Sequence, residues 1–600
     1  MKIRWRTLEH NGVLLPPQYE PKGLSIRIKG KVIRLTPEQE EMAYAFAKKK
    51  DTPYIKDKVF VNNFLSDFLR LFPEEYRDVK FEDIDFSEVF AYVDKEKELK
   101  NSLSKEHKKK IANERKRLRE ELKDKYGYAI VDGVKYEIAN WIIEPPGLFI
   151  GRGEHPLRGR WKPRVYASDI IINIGEDAPI PENNWKAVVH DHESTWLAKW
   201  YDKLTGKEKY VWLADSSKIR QENDKAKYDT AMRLAKQIDK VLAMIKKGLK
   251  ARDEKKRKIA TVCYLIYRLA MRVGDEKDPD EADTVGATTL RVEHVMLNGN
   301  RIDFDFLGKD SVRWQKSIVI ESEMDALAYK NLEEFIKGKS KDDEIFAGIT
   351  SRHVNAFLGS IIEGLTAKAF RTYLATNVVN EYLLSIDGTV SKEPEYVKLY
   401  YAKMANLKAA ITCNHKRAVP KNFESSLEKK VLKLNELIRT REEIEEKLKS
   451  IREINASNRK GKEMKMKKGK GKRKARSSYE KDGDKEEKEK MKTEKEEKKL
   501  LNKLSKLDER IEKLRLQINL AQECRDYNLV TSLRNYIDPR TFYTWCKHVG
   551  LDWTQIYTKS LQRKFQWIKT TSMKWESIVR AYARNGNGLS NSDNDNKSNI

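Results

Sequence analysis

The chain has 600 residues, with 121 Lys and Arg against 93 Asp and Glu, a formal net charge of +28. Its 12 Trp and 26 Tyr exclude a purely disordered basic polypeptide, because such chains are aromatic-poor. A chain this basic is expected to meet a polyanion, since neutralising phosphates releases counterions.

Four cysteines, Cys263, Cys413, Cys524 and Cys546, are scattered without a C-x-x-C pair. That pattern points to a reducing compartment and offers no zinc framework. The opening Met1-Lys2-Ile3-Arg4-Trp5-Arg6 lacks the apolar run of a signal peptide. No apolar stretch approaches the roughly 20 residues needed to cross a bilayer. A soluble intracellular protein with no membrane partner is expected.

Residues 1 to about 100 read as mixed and globular. Lys29-Gly30-Lys31 reads as a turn, and Thr36-Pro37-Glu38 as the start of a helix with Pro at its first position. Phe60, Phe64, Phe68 and Phe72 recur at helical spacing and are expected in a core. The stretch Lys97 to Tyr126 is dense in charge and reads as a solvated helix pair or a positive arm. Glu144 to Pro156, EPPGLFIGRGEHP, is a shaped loop holding Arg152. It lacks the G-K-[ST] ending of a nucleotide-binding P-loop. In His190-Asp191-His192 the two imidazoles would share a strand face, but no third ligand is apparent, so no metal site is expected.

Asp224 to Leu249 and Ala260 to Val273 carry apolar residues at helical period. Gly274 reads as the stop of the second, which places Arg272 on an exposed last turn. Arg301 to Ile320 alternates as a β-hairpin with Lys309 at its tip, followed by Asp310. A helix starts near Thr366 as N-cap, with Lys368 and Arg371 in its first turns. His415 closes an Ala-rich helix that Pro420 prevents from running much further. Taken singly, these cations fit surface or helix-end positions better than a site. From about 425 to 520, Leu427, Val431, Leu434 and Ile438, then Ile444, Leu448 and Ile451, then Leu500, Leu504, Leu507, Ile511, Leu514 and Ile518 step as heptads. Two such segments around a Gly- and Lys-rich break predict an antiparallel coiled coil, with disorder over about 458–490. Asn535-Tyr536 lies in the next, aromatic-rich piece, and 585–600 reads as a disordered tail.

These stretches resemble the eukaryotic-type (type IB) DNA topoisomerase family. The resemblance rests on EPPGLFIGRGEHP (144–156), ADTVGATTLRVEHV (282–295), FDFLGKDSVR (304–313), EGLTAKAFRTY (363–373), ITCNHKRA (411–418) and NYIDPR (535–540), in that order. It implies a multidomain α+β protein forming a C-shaped clamp around DNA. The expected parts are a mixed α/β DNA-binding cap (1–217), a mainly helical catalytic core with the β-hairpin (218–424), a coiled-coil linker (425–520), a small helical C-terminal domain (521–584) and the tail. It further implies that Tyr536 is the nucleophile and that Arg272, Lys309, Arg371 and His415 are the active-site cations. Arg152, Asp310, Asn535 and Lys368 would lie on DNA or near the cleaved step. No cofactor and no metal are implied; the partner is double-stranded DNA, and a monomer is expected.

Relatives often carry a long charged N-terminal extension, whereas here the core begins almost at Met1. With the heavy Lys/Glu usage, this favours an archaeal relative working at the nucleoid over a nuclear one. In the family a lysine after the His-Pro pair latches the clamp. Leu157 stands there, so a latch would fall to Arg158 and an acid such as Glu281. The nearest rival is a tyrosine recombinase, but those show His-x-x-Arg where this chain has Lys368-Ala369-Phe370-Arg371. A non-enzymatic basic coiled-coil scaffold would explain the charge and heptads but not the ordered motifs.

Overall fold

The computed structural model describes residues 3–275, 284–468 and 479–583, with side chains for all of these except 458–490. The chain divides into two compact units. One comprises Met1–Arg371 with Tyr557–Ser572, the other Thr372–Ile556 with Met573–Ala583.

In the first unit, Lys29 and Gly30 both take positive φ, 48° and 80°, the turn that joins the strands Ser25–Ile28 and Lys31–Arg34. The helix Pro37–Ala47 begins as expected. The Thr36 hydroxyl accepts from the Gln39 amide, the Gln39 side chain accepts from the Thr36 amide, and Pro37 occupies the first position. Phe60, Phe64 and Phe68 sit on the buried face of the helix Lys58–Leu69, and Phe64 stacks on Phe46 with centroids 3.9 Å apart. Each buried phenyl contributes on the order of 1.5–3 kcal/mol, so this stripe is core and is not available to stack on bases.

A second core lies between the three-stranded sheet of Leu8–His10, Tyr128–Val131 and Val134–Glu137 and a four-stranded sheet. The latter runs in the order Ala187–Val189, Ile171–Asn173, Trp196–Tyr201, Glu208–Trp212. The charge-dense stretch from 97 falls on two helices, Ser87–Ser102 and Lys105–Tyr126, and the second buries no residue. The segment Tyr557–Ser572, within the stretch read as C-terminal domain, packs in this unit. Gln221 donates to the Arg563 carbonyl at 3.1 Å, and Lys564 pairs with Asp224 at 3.3 Å.

Two helices differ from their sequence reading. The stretch 224–249 is not one helix: Lys218–Lys236 and Ile238–Leu249 meet at Gln237, whose ψ of 17° breaks the helical path. The helix Glu254–Leu269 ends before Gly274. Ala270 adopts the left-handed conformation, φ 52° and ψ 33°, so Arg272 lies beyond the helix and is half-buried. Gly274 serves a different purpose, because a Cβ on Gly286 would come within 2.4 Å of its Cα. The two backbones touch there.

In the second unit, Phe423–Lys468 and Tyr479–Glu523 form the long helices of the linker. Ion pairs Arg441–Asp508 at 2.5 Å and Arg452–Glu497 at 2.8 Å fix them antiparallel. Leu437, Ile444, Leu448, Leu507 and Ile511 are buried along the seam. The helices continue into the stretch whose composition suggests disorder; its centre, 469–478, lies outside the described residues, as does the tail from 584. Among the described residues, no helix is long and apolar enough to cross a membrane.

Candidate active site

The helix Ala367–Ser385 carries Lys368 and Arg371 in its first turns. Lys368 is exposed, and Arg371 is only 3 % exposed. A surface arginine is therefore excluded at 371. Its Nη1 donates to the Ala270 carbonyl, which the left-handed turn has swung out of the preceding helix. Arg272 follows two residues later, and its carbonyl accepts from the Ala287 amide at 2.8 Å. The Thr288 hydroxyl donates to the carbonyls of Val273 and Gly274, each at 3.0 Å. The segment carrying Arg272 is thus held from both sides.

Lys309 stands exposed at the tip between the strands Arg301–Gly308 and Val312–Val319, with Val295–Leu297 as a third strand. Asp310 and Ser311 both have positive φ, 67° and 55°. That kink turns Asp310 onto Arg152 of the Gly-rich loop, with which it forms an ion pair. Gly153 packs so close that a Cβ there would lie 2.1 Å from the Ser311 Oγ. Near Lys368, the Lys227 ammonium is pushed below its usual range, chiefly by burial, with the charges of Lys564 and Lys368 adding to it.

In the second unit, Tyr536 caps the helix Leu529–Asn535 and is 5 % exposed. Asn535 is exposed beside it. Asp538 caps the next helix, Pro539–Val549, accepting from the Arg540 amide, so Tyr536 lies in a three-residue link between two helices. His415, 6 % exposed, has its ring centroid 5.1 Å from that of Tyr536 at an angle of 34°. The approach has a backbone cause. The helix Glu395–Thr412 ends, Asn414 turns left-handed with φ 52°, and the His415 carbonyl accepts from the Asn528 amide at 2.7 Å. Asn528 is the N-cap of the helix that ends at Tyr536.

Three associations therefore exist within the units: Arg371 with the Arg272 segment through Ala270, Arg152 with Asp310 beside Lys309, and His415 with Tyr536. Sequence reasoning missed Thr376, whose hydroxyl donates to the Tyr536 carbonyl at 3.3 Å. It also missed the buried Asp538–Arg540 pair, although Asp-Pro is a usable helix-start signal. Arg158 pairs with Asp57 at 2.6 Å, and Glu281, the acid named with it for a latch, lies outside the described residues. His190 and His192 point Nδ1 at the carbonyls of Ile174 and Trp5, and among the described residues no cluster of three or more His, Cys, Asp or Glu is arranged to hold a metal.

These arrangements fall within three matched families that together define a class. Residues 3–213 match the eukaryotic DNA topoisomerase I DNA-binding fragment, 216–448 its catalytic core, and 508–577 the C-terminal topoisomerase domain. The chain is 39 % identical over 571 residues to DNA topoisomerase 1 beta of Arabidopsis thaliana, covering 94 % of this chain and 58 % of that protein. It is 37 % identical to DNA topoisomerase 1 of Drosophila melanogaster, covering 94 % and 54 %. Against DNA topoisomerase 1 of Homo sapiens it is 35 % identical over 580 residues, covering 94 % and 71 %. The chain thus spans between half and two thirds of the plant and insect relatives. It belongs to the eukaryotic-type DNA topoisomerase I family.

Proposed function

We propose that this protein relaxes supercoiled duplex DNA by cutting one strand, letting the free end rotate and resealing it, without ATP or a required metal. Family membership across three successive domains supports the activity. The single observation that carries the mechanism is the 5.1 Å approach of the His415 and Tyr536 rings.

In this reading the Tyr536 Oη attacks a DNA phosphorus and the bond to the 5′ oxygen breaks. The products are a 3′-phosphotyrosyl link and a free 5′ hydroxyl. The phenol's reference pKa is about 10, and neighbouring cations favour its ionised form. Arg272 and Arg371 hold the non-bridging oxygens, because a guanidinium stays charged and forks onto phosphate. His415 adds a further donor there. Lys309, on an exposed hairpin tip, delivers the proton that the leaving oxygen takes up. The covalent link conserves the bond energy, so reversal of the same steps reseals the strand. Arg152 with Asp310, Asn535 and Lys368 border the cleaved step, and contacts mainly to phosphate give little sequence preference.

The test is relaxation of supercoiled plasmid in EDTA without ATP by wild type and Tyr536→Phe. Relaxation by wild type alone is expected. Equal activity in both would move the nucleophile elsewhere. Tyr527 is a poor substitute, since burial, and then the charge of Asp526, raise its phenol above the usual range. An inactive, folded, DNA-binding wild type would overturn the enzyme reading in favour of a basic scaffold.

A further inference from the structure

The helix Trp575–Tyr582 ends past the stretch that matches the C-terminal topoisomerase domain, residues 508–577. It buries Trp575, Ile578 and Tyr582, and it packs on the helix Pro539–Val549. Tyr582 has no solvent exposure at all. Its Oη donates to the Oδ2 of Asp538 at 2.9 Å. Asp538 is equally buried, and its carboxylate is encircled by donors. Oδ1 accepts from the Arg540 amide and Nε, each at 3.0 Å, and Oδ2 from Arg540 Nη2 at 2.7 Å.

The same residue is tied to the link that holds Tyr536. The Asp538 amide donates to Thr376 Oγ1 at 3.0 Å, and that hydroxyl donates to the Tyr536 carbonyl at 3.3 Å. One threonine hydroxyl therefore brackets the backbone on both sides of Ile537. Asp538 anchors one end of the bracket, and Tyr582 with Arg540 anchors Asp538. If Asp538 rocks, the peptide at 537 rocks with it, and the Tyr536 ring swings on a short lever.

We propose that Tyr582 is a positioning residue: acting through Asp538 and Thr376, it sets the orientation from which Tyr536 attacks. The inference rests on Tyr536 being the nucleophile. Burial, and then the adjacent Asp538 charge, push the Tyr582 phenol well above its ordinary value. It therefore stays protonated and remains a donor to the carboxylate across the pH range in which Tyr536 must give up its own proton. A misdirected nucleophile slows chemistry far more than binding, and this separates positioning from a purely structural role.

The experiment compares wild type, Tyr582→Phe and Tyr582→His in the full chain. It measures single-turnover formation of the covalent adduct on a nicked duplex oligonucleotide, duplex affinity, Tm, and hydrogen–deuterium exchange of the 536–538 amides. Losing one hydrogen bond to a buried charge is expected to slow adduct formation by about tenfold. Duplex Kd should change little, Tm should fall modestly because a buried carboxylate loses one donor, and exchange at 536–538 should quicken. Tyr582→His, which keeps a ring donor, should recover part of the rate, and it carries the comparison if Tyr582→Phe melts below the assay temperature. A variant lacking the hydroxyl that matches wild type in rate and exchange overturns the proposal. A wild type that forms no adduct removes the nucleophile reading instead; unchanged exchange in the variants would then overturn the bracket as well.

Discussion

His415 and Tyr536 face each other across 5.1 Å because the His415 carbonyl accepts from Asn528, the residue that caps the helix ending at Tyr536. That bond and the one from the Arg417 amide to the Asp526 carbonyl, at 2.8 Å, form an antiparallel bridge of Lys416 with Tyr527, which brings together two side chains far apart in sequence. His415→Gln preserves a side-chain donor but not the imidazole ring. We expect adduct formation about 10²–10³ slower, the usual consequence of losing a transition-state donor, with duplex affinity nearly unchanged. A variant within threefold of wild type would remove His415 from the chemistry.

Arg371 has a structural duty that a lysine cannot assume. It is buried and donates to Ala270 from one arm of its guanidinium. Arg371→Lys should fold, because the ammonium keeps the charge, yet lose at least about 100-fold in adduct formation, since a point charge cannot both hold the carbonyl and fork onto phosphate. Arg371→Ala should also cost about 1–3 kcal/mol, having left the Ala270 carbonyl without this donor. Chemical denaturation beside single-turnover kinetics separates the two losses.

Gly153→Ala tests the contact between the Gly-rich loop and the hairpin tip. A Cβ would fall 2.1 Å from Ser311 Oγ, and the residue has a φ of 60°. The left-handed backbone alone should cost about 1–2 kcal/mol. Ser311→Gly in the same chain is expected to relieve the clash but not the strain, so the double variant should recover only part of the lost Tm. Full recovery would mean that the clash was the whole effect.

His10 makes stability depend on pH. The Gly12 amide donates to its Nδ1 at 3.0 Å, so Nε2 carries the proton and donates to the Asn173 carbonyl at 2.9 Å. Burial lowers its pKa below the model-compound value of 6.5. The unfolded chain then binds the proton first, so His10 favours the fold above 6.5 and that contribution falls away as the pH drops toward the folded value. Tm should decline between about pH 7.5 and 5.5, and His10→Gln should flatten the decline. An equal slope in both chains would assign it to other groups.

Ile444 lies in the linker seam. Ile444→Ala should destabilise that helix pair by about 2–4 kcal/mol. Hydrogen exchange should quicken around 437–448 and 507–511 while the sheets of the first unit keep their protection. Uniform loss of protection would mean that the linker does not melt by itself.

The features legible in the sequence depend on near neighbours. The Thr36 cap, the Phe60–Phe68 stripe, the turn at Lys29-Gly30, the Lys309 tip and the heptads all follow from residues within a turn or two of each other, where periodicity and propensity act. Features set by contacts across the chain left no local trace. Alanine is a poor former of left-handed turns, so nothing in the residues around Ala270 announced that the helix stops there. The stop accompanies a carbonyl offered to Arg371, 101 residues away. Burial of Arg371 and His415 was equally hidden, because an arginine in an amphipathic helix and a histidine at a helix end read the same on a surface or in a core. The bracket joining Asp538 to Thr376 spans 162 residues, and Tyr582 joins it from a helix with its own amphipathic pattern. Periodicity records which face of an element is apolar; which element covers that face, and which polar group it leaves in need of a partner, is decided when the elements pack.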